Sequence, residues 1–432
     1  MLDLKLIREQ PEAAERALAQ KGGADLIKQI LALDVDRRRL TKETDDLKAL
    51  RNRASEAIGQ AKRKGEDASA EMAKTRELGD RITVLEGELK AVEERVDGLT
   101  AQVPNLPHPS VPAGMSDADN VEVRRWGTPR RFEFTPRPHE DVGEKLGLLD
   151  PERGVKLAKS RFTVLWADGA RLSRALAQFM LDLHTREHGY TELWVPHLVN
   201  AETMLKTGQL PKFEDGLFKT VEADEGRTLY LIPTAEVPLS AMHGGEVLDE
   251  ASLPRRYTAF TPSYRREAGT YGKDMKGIYR QHQFDKVELV KLATPAQSYD
   301  ELESMVANAE TVLQRLALPY RVVERCVGDL GFSGAKGYDV EVWRPHLEKY
   351  TEISSCSNYD AFGGRRADIR YRPTGGGKPE FVATLNGSGL AVGRTLIAVL
   401  ENYQEADGTV TIPPALRGYM GGVERLTARA SG

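Results

Sequence analysis

Five residues in one stretch carry a chemistry that a solvated surface does not need. FTPSYRREAGTYGKDMKGIYRQHQFDKVELVKL, residues 260–292, reads as a long antiparallel hairpin whose loop holds Gly269, Gly272 and Gly277. Side chains two apart on a strand share a face, which groups Arg265 with Glu267 on the first run and Arg280, Phe284 and Glu288 on the second. Cross-strand pairing would explain the charges of such a face but not the aromatic ring among them. A planar base stacked between Phe284 and a guanidinium, with Arg265 on phosphate and Glu267 accepting from an exocyclic amine, explains all of them.

Such a face needs a scaffold. From about Val121 the pattern alternates amphipathic helices, one covering Phe162–Arg186, with short runs whose apolar residues recur at period two. The reading is α+β with a mainly antiparallel sheet, in which GAKGYDVEVW around Tyr338 is a core strand. The run Gly375-Gly376-Gly377 is a turn and not a phosphate loop, since no Lys-Ser or Lys-Thr pair follows it.

The first hundred residues read differently. Leu26, Ile30, Leu33, Arg37, Leu40, Thr44, Leu47, Arg51, Ala54, Ile58 and Ala61 keep a 4-3 spacing, and Leu78, Ile82, Leu85, Leu89, Val92, Val96 and Leu99 repeat it. Gly65 with Glu66, Asp67 and Ser69 breaks the two, which predicts a hairpin of two long helices. Basic residues dominate the first helix and acidic ones the second, so antiparallel pairing sets opposite charges across the seam. A structural or dimerising coiled coil would need no more. Arg51, Arg53, Lys62, Arg63 and Lys64 near the turn add what contact with a phosphate backbone would need. Pro104, Pro107, Pro109 and Pro112 forbid a continuing helix and divide the chain into an arm, 1–108, and a core, 109–432.

Composition narrows the setting. A formal net charge of -4 argues against indiscriminate nucleic-acid binding, so any RNA contact is local. Cys326 and Cys356 form no CxxC pair, the N-terminus lacks an apolar leader, and no run approaches a membrane span; a cytoplasmic protein is expected. The scattered histidines and cysteines show no zinc-ligand trio.

The hairpin resembles motif 2 of class II aminoacyl-tRNA synthetases, and FVATLNGSGLAVGRTLIAVLENYQ, residues 381–404, resembles their motif 3, with Arg394 at a helix start. GYTELWVPHLV around Pro196 is similar to motif 1, which in that family forms the dimer interface. Thr234-Ala235-Glu236, Glu352-Ile353-Ser354-Ser355 and Asn386-Gly387-Ser388 resemble the serine-specific branch of bacterial type, and the likeness covers nearly the whole chain, arm included.

The resemblance implies a set of roles. Arg265 holds the ATP α-phosphate and Arg394 the γ-phosphate, with Arg266, Glu267, Phe284, Glu352, Ile353, Ser354 and Ser355 completing the ATP site. Thr234, Ala235, Glu236, Arg265, Arg280, Glu288, Asn386 and Ser388 take L-serine, while Glu352 and Ser355 give oxygens to Mg2+, with no zinc. The arm reaches tRNA(Ser), and by family also tRNA(Sec), from a homodimer. Glu352 and Ser355 lie three apart and would face opposite sides of a regular strand, so a bulge or a strand end is required. For His282 a structural hydrogen bond and a catalytic role both stand, the first at least as strongly, and Cys356 is expected to be a small buried hydrophobe beside the site. Two other readings remain at this level: a related enzyme loading a small amino acid onto a carrier protein, which the long arm disfavours, and a coiled-coil interaction protein on a dead synthetase, which the intact Arg265, Glu267, Glu352 and Arg394 disfavour.

Overall fold

The computed structural model describes residues 1–221, 228–268 and 276–428, so Gly269 and Gly272 of the expected hairpin loop lie outside the described residues. The chain divides into two compact units, Met1–Leu106 and Pro107–Gly432.

In the first unit, α1 (Leu4–Glu9) and α2 (Pro11–Leu18) lead into the long α3 (Ala24–Lys64) and α4 (Ser69–Thr100). At 1.5 Å per residue the pair measures roughly 60 and 50 Å. Ile30, Leu40, Thr44, Ile82, Leu85 and Val96 are buried along the seam, as the 4-3 spacing predicts, although Ile27 and not Leu26 occupies its first buried position. Gly65, at φ 75, ends α3 and sends its N–H to Ala61 and Lys62. Lys48 pairs with Glu86 at 2.7 Å and Arg81 with Glu43 at 3.4 Å across the seam. These exposed pairs fix orientation and add little stability.

The second unit is built on an eight-stranded sheet. Its strands are β1 (Val121–Trp126), β2 (Thr191–Glu192), β3 (Arg255–Tyr264), β4 (Gln283–Ala293), β5 (Tyr320–Glu324), β6 (Lys336–Arg344), β7 (Lys349–Asn358) and β8 (Ala383–Ala391). They lie in the order β1-β5-β6-β7-β8-β4-β3-β2, antiparallel throughout except where β2 meets β3. The helices that matter here are α5 (His139–Lys145), α6 (Ala167–Arg186), α7 (Glu236–Ala241), α8 (Ser298–Arg315) and α9 (Val392–Asn402). The helix expected from Phe162 starts five residues later, because Trp166 is extended and Val164–Leu165 form a short strand with Leu149–Asp150.

Alternation on β4 divides the sheet into two faces. Val287 and Leu289 enter the main core with Leu176, Leu313 and Val399 from α6, α8 and α9. Phe284, Lys286 and Glu288 take the other face, where the site forms. Among the described residues no helix is long and apolar enough to cross a membrane.

Candidate active site

The five residues do not share one regular strand face. Arg265 and Glu267 lie past the end of β3, and Arg280 precedes β4, so none of the three sits in a regular strand. The pairing nevertheless carries on: Ser263 faces Phe284, the Arg265 N–H reaches the His282 carbonyl at 2.8 Å, and Arg280 Nη1 donates to Glu267 Oε2 at 2.6 Å. Cross-strand partners share a side, so the grouping survives without the strand. His282 plays the structural part, with Nδ1 2.9 Å from the Arg265 carbonyl.

Together these residues line a cleft of about 250 Å³. The Arg265 guanidinium lies over the Phe284 ring at 5.1 Å and its Nε donates to the Pro233 carbonyl at 3.2 Å. Arg394, in the first turn of α9, stacks on Tyr279 at 4.6 Å and reaches Glu352 at 3.2 Å. Arg265 keeps solvent exposure, yet desolvation within the cleft and the neighbouring Arg394 charge lower its pKa, against the pull of Glu267, Glu288 and Glu352. A guanidinium held under such repulsion is relieved by an incoming anion.

The spacing of Glu352 and Ser355 is resolved by a bulge. Glu341 faces Glu352 and Val340 faces Ser354, which leaves Ile353 as the extra residue of β7 and turns both Glu352 and Ser355 into the cleft. Glu352 keeps 46% of its side chain exposed. Burial works to raise its pKa, but Arg394, Arg325 and Arg265 outweigh it and hold the group ionised.

Deeper in, Glu288 is fully buried on β4. It accepts from Thr234 Oγ1 at 2.8 Å, from Asn386 Nδ2 and from Lys286 Nζ. The single Tyr359 O–H lies 3.0 Å from Asn386 Oδ1 and is shared with Glu236 at the start of α7 as a second acceptor. Burial, then the Glu288 charge, raises Glu236 to about 7.

Thr234, Glu236, Arg265, Glu267, Arg280, Phe284, Glu288, Glu352, Ile353, Ser355, Asn386, Ser388 and Arg394 thus meet in one cleft. Three expected residues do not line it. Ala235 is buried in an apolar cluster, the Arg266 N–H donates to Gly216, and Ser354 Oγ donates to the Ser388 carbonyl at 2.7 Å, tying β7 to β8. Lys286 and Tyr279 line it without having been singled out from sequence, although Lys286 lies midway between Phe284 and Glu288 at the same period of two. Arg325, donating to Ser355 at 3.2 Å, and Tyr359 arrive from loops with no periodic signature. Cys356 is fully buried and its thiol is pushed up to about 12 by burial, as suits an inert packing residue. On the arm, Lys62, Arg63 and Lys64 form the last turn of α3, but Arg51 and Arg53 lie roughly 15 Å of helix behind them, so the cations are spread along and around the helix end and do not make a single cluster.

An antiparallel sheet carrying one arginine beside a stacking ring, a second at a helix start and a buried polar pocket between them defines the catalytic core of a class II aminoacyl-tRNA synthetase. Comparison with known proteins agrees: residues 218–403 match the tRNA synthetase class II core domain (G, H, P, S and T), and residues 1–107 match the seryl-tRNA synthetase N-terminal domain. The serine-tRNA ligase of Nitratidesulfovibrio vulgaris is 56% identical over 428 residues, spanning 99% of this chain and 100% of the relative. The seryl-tRNA synthetase from Pyrococcus horikoshii complexed with ATP has a TM-score of 0.93 at 39% identity, with 100% of each chain covered. The cytoplasmic serine-tRNA ligase of Naegleria fowleri in complex with AMP has a TM-score of 0.88 at 30% identity, covering 100% of this chain and 99% of the other. The chain belongs to the seryl-tRNA synthetases.

Proposed function

We propose that the cleft joins L-serine to ATP, forming seryl-adenylate and pyrophosphate, and then passes the seryl group to the terminal ribose hydroxyl of tRNA(Ser), and of tRNA(Sec). The observation that carries this reading is the fully buried Glu288 with Thr234 and Asn386 bonded to it, a small hydrogen-bonding pocket beside the Arg265–Phe284 pair.

The serine carboxylate is already an anion, so attack on the α-phosphorus needs no protein base and is accelerated by positioning and charge neutralisation. Arg265 meets the α-phosphate and Phe284 the adenine, while Glu267, held by Arg280, accepts from the adenine amine. Arg394, steadied by Glu352 and Tyr279, meets the γ-phosphate. Glu352 and Ser355 offer hard oxygens on one side of the cleft, which fits Mg2+, an ion held by few protein ligands together with substrate phosphates. When bound, it neutralises phosphate charge.

Glu288 already accepts from three side chains, so we assign the serine ammonium to Glu236. Its value of about 7 gives a test, because the ammonium is best met by the ionised carboxylate. The serine KM is expected to rise roughly tenfold per unit as pH falls below 7, and this limb should vanish in Glu236→Gln at an already weakened affinity. A serine KM flat between pH 5.5 and 7.5 would move the ammonium elsewhere.

Pyrophosphate exchange with serine, threonine, alanine and glycine tests the reading as a whole: activity should be confined to serine. Alanine leaves the polar groups of the pocket unpaired, a penalty of about 10⁴ or more. The arm is assigned to tRNA backbone contact and the assembly to a homodimer in the cytoplasm. Excising residues 36–90 should leave exchange within about twofold and lower tRNA charging by roughly 10³, since several phosphate contacts go with it. Loss of both activities together would refute separable roles.

A further inference from the structure

We propose that His139 and Glu401 are positioning residues of the ATP subsite, acting on it through Ile278 and Tyr279; the inference rests on the ATP site assigned above. Glu401, near the end of α9, is fully buried, and His139, the first residue of α5, is 1% exposed. Glu401 accepts from Arg344 Nη2 at 2.6 Å and Nε at 3.1 Å, and from His346 Nδ1 at 3.0 Å. It also takes the His139 backbone N–H at 3.2 Å and faces the His139 Nδ1 at 3.1 Å.

The Glu401 and Glu140 carboxylates, which only accept, both face Nδ1 at 3.1 Å and outweigh the Arg344 Nη2 donor at 3.3 Å, so the imidazole proton belongs on Nδ1 and the Nε2 lone pair is left to act as an acceptor. It is used: the Ile278 N–H donates to His139 Nε2 at 3.0 Å. Gly277, at φ 64, passes so close to the imidazole that a Cβ there would collide with Nε2. Tyr279, the residue after Ile278, is gripped by the same cluster from its other arm, with the Arg344 guanidinium over its ring at 5.3 Å. Arg394 stacks on that ring at 4.6 Å, and Ile278 and Tyr279 both line the cleft.

The cluster therefore fixes residues 277–279, and with them the surface against which Arg394 is aimed. Burial works to raise the pKa of Glu401, yet hydrogen bonds from His139, His346 and Arg344 hold it well below the usual carboxylate range. Buried ion pairs are often replaceable by apolar residues of equal volume at no loss of stability, so stability alone does not call for this arrangement.

The test uses the full chain, with serine-dependent pyrophosphate exchange titrated separately in ATP and serine, and thermal midpoints alongside. His139→Ala and Glu401→Gln should raise the ATP KM about tenfold at an unchanged serine KM. His139→Gln, whose side-chain oxygen can replace Nε2 as acceptor, should recover at least threefold of that. Leu313→Ala, a core truncation on α8 away from the cleft, should lower the midpoint without moving the ATP KM. An unchanged ATP KM in both His139→Ala and Glu401→Gln, or an equal rise in Leu313→Ala, overturns the proposal. If His139→Ala does not fold, Glu401→Gln against His139→Gln decides by the same criterion. A wild-type chain without serine-dependent exchange would overturn the enzymatic reading itself, and this inference with it.

Discussion

Replacing Arg265 by alanine is expected to lower the kcat of serine-dependent pyrophosphate exchange by 10²–10³, about 2.7–4 kcal/mol, the usual cost of removing one preorganised donor from a developing charge. The side chain is placed for that work twice over. Its Nε is anchored on the Pro233 carbonyl at 3.2 Å, which fixes the guanidinium plane, and its face lies over Phe284 at 5.1 Å, which holds it beside the ring assigned to the base. Arg265→Lys restores the charge without the fork or the flat face, and should recover about tenfold of the loss. Because the contact tightens as charge builds on the α-phosphate, kcat and kcat/KM should fall together. A variant that raised only the ATP KM would reduce Arg265 to a ground-state binding group.

How much of this site was readable in advance depends on how each residue reaches it. Phe284 and Glu288 were legible because a regular strand delivers them, and period two survives in sequence; Lys286 lay on the same line. Arg265 and Glu267 were grouped correctly by an argument that fails locally, since β3 stops at Tyr264 and the face persists only through cross-strand bonds. The three-residue step from Glu352 to Ser355 demanded a bulge, and β7 has one at Ile353. The two long helices were legible, since a long seam repeats its own evidence. Other contributions left no local trace. Arg325 and Tyr359 come from loops, and His139 and Glu401 meet across 262 positions, a separation at which no periodicity operates. Ser354 shows the converse: motif resemblance placed it with ATP, while its hydroxyl is spent on the Ser388 carbonyl.

Glu288→Gln is expected to abolish serine activation while sparing ATP. All three side chains that meet this carboxylate are donors: Thr234 Oγ1, Asn386 Nδ2 and Lys286 Nζ. A glutamine turns one acceptor oxygen into an amide that confronts a donor, and it leaves the Lys286 ammonium, 7% exposed, without its counter-charge. Breaking one side of a buried pair costs about 3–5 kcal/mol, which chemical denaturation should register. The pocket walls lose their orientation with it, and serine-dependent exchange should fall at least about 10³-fold, as expected when hydrogen-bonding groups built for a hydroxyl go unpaired. ATP binding measured by calorimetry should change less than threefold, because Arg265, Phe284 and Arg394 are untouched. The double variant Lys286→Met with Glu288→Gln separates the two effects. Removing the stranded ammonium should return most of the lost stability and none of the serine activation; if exchange returns as well, Glu288 serves only to neutralise Lys286.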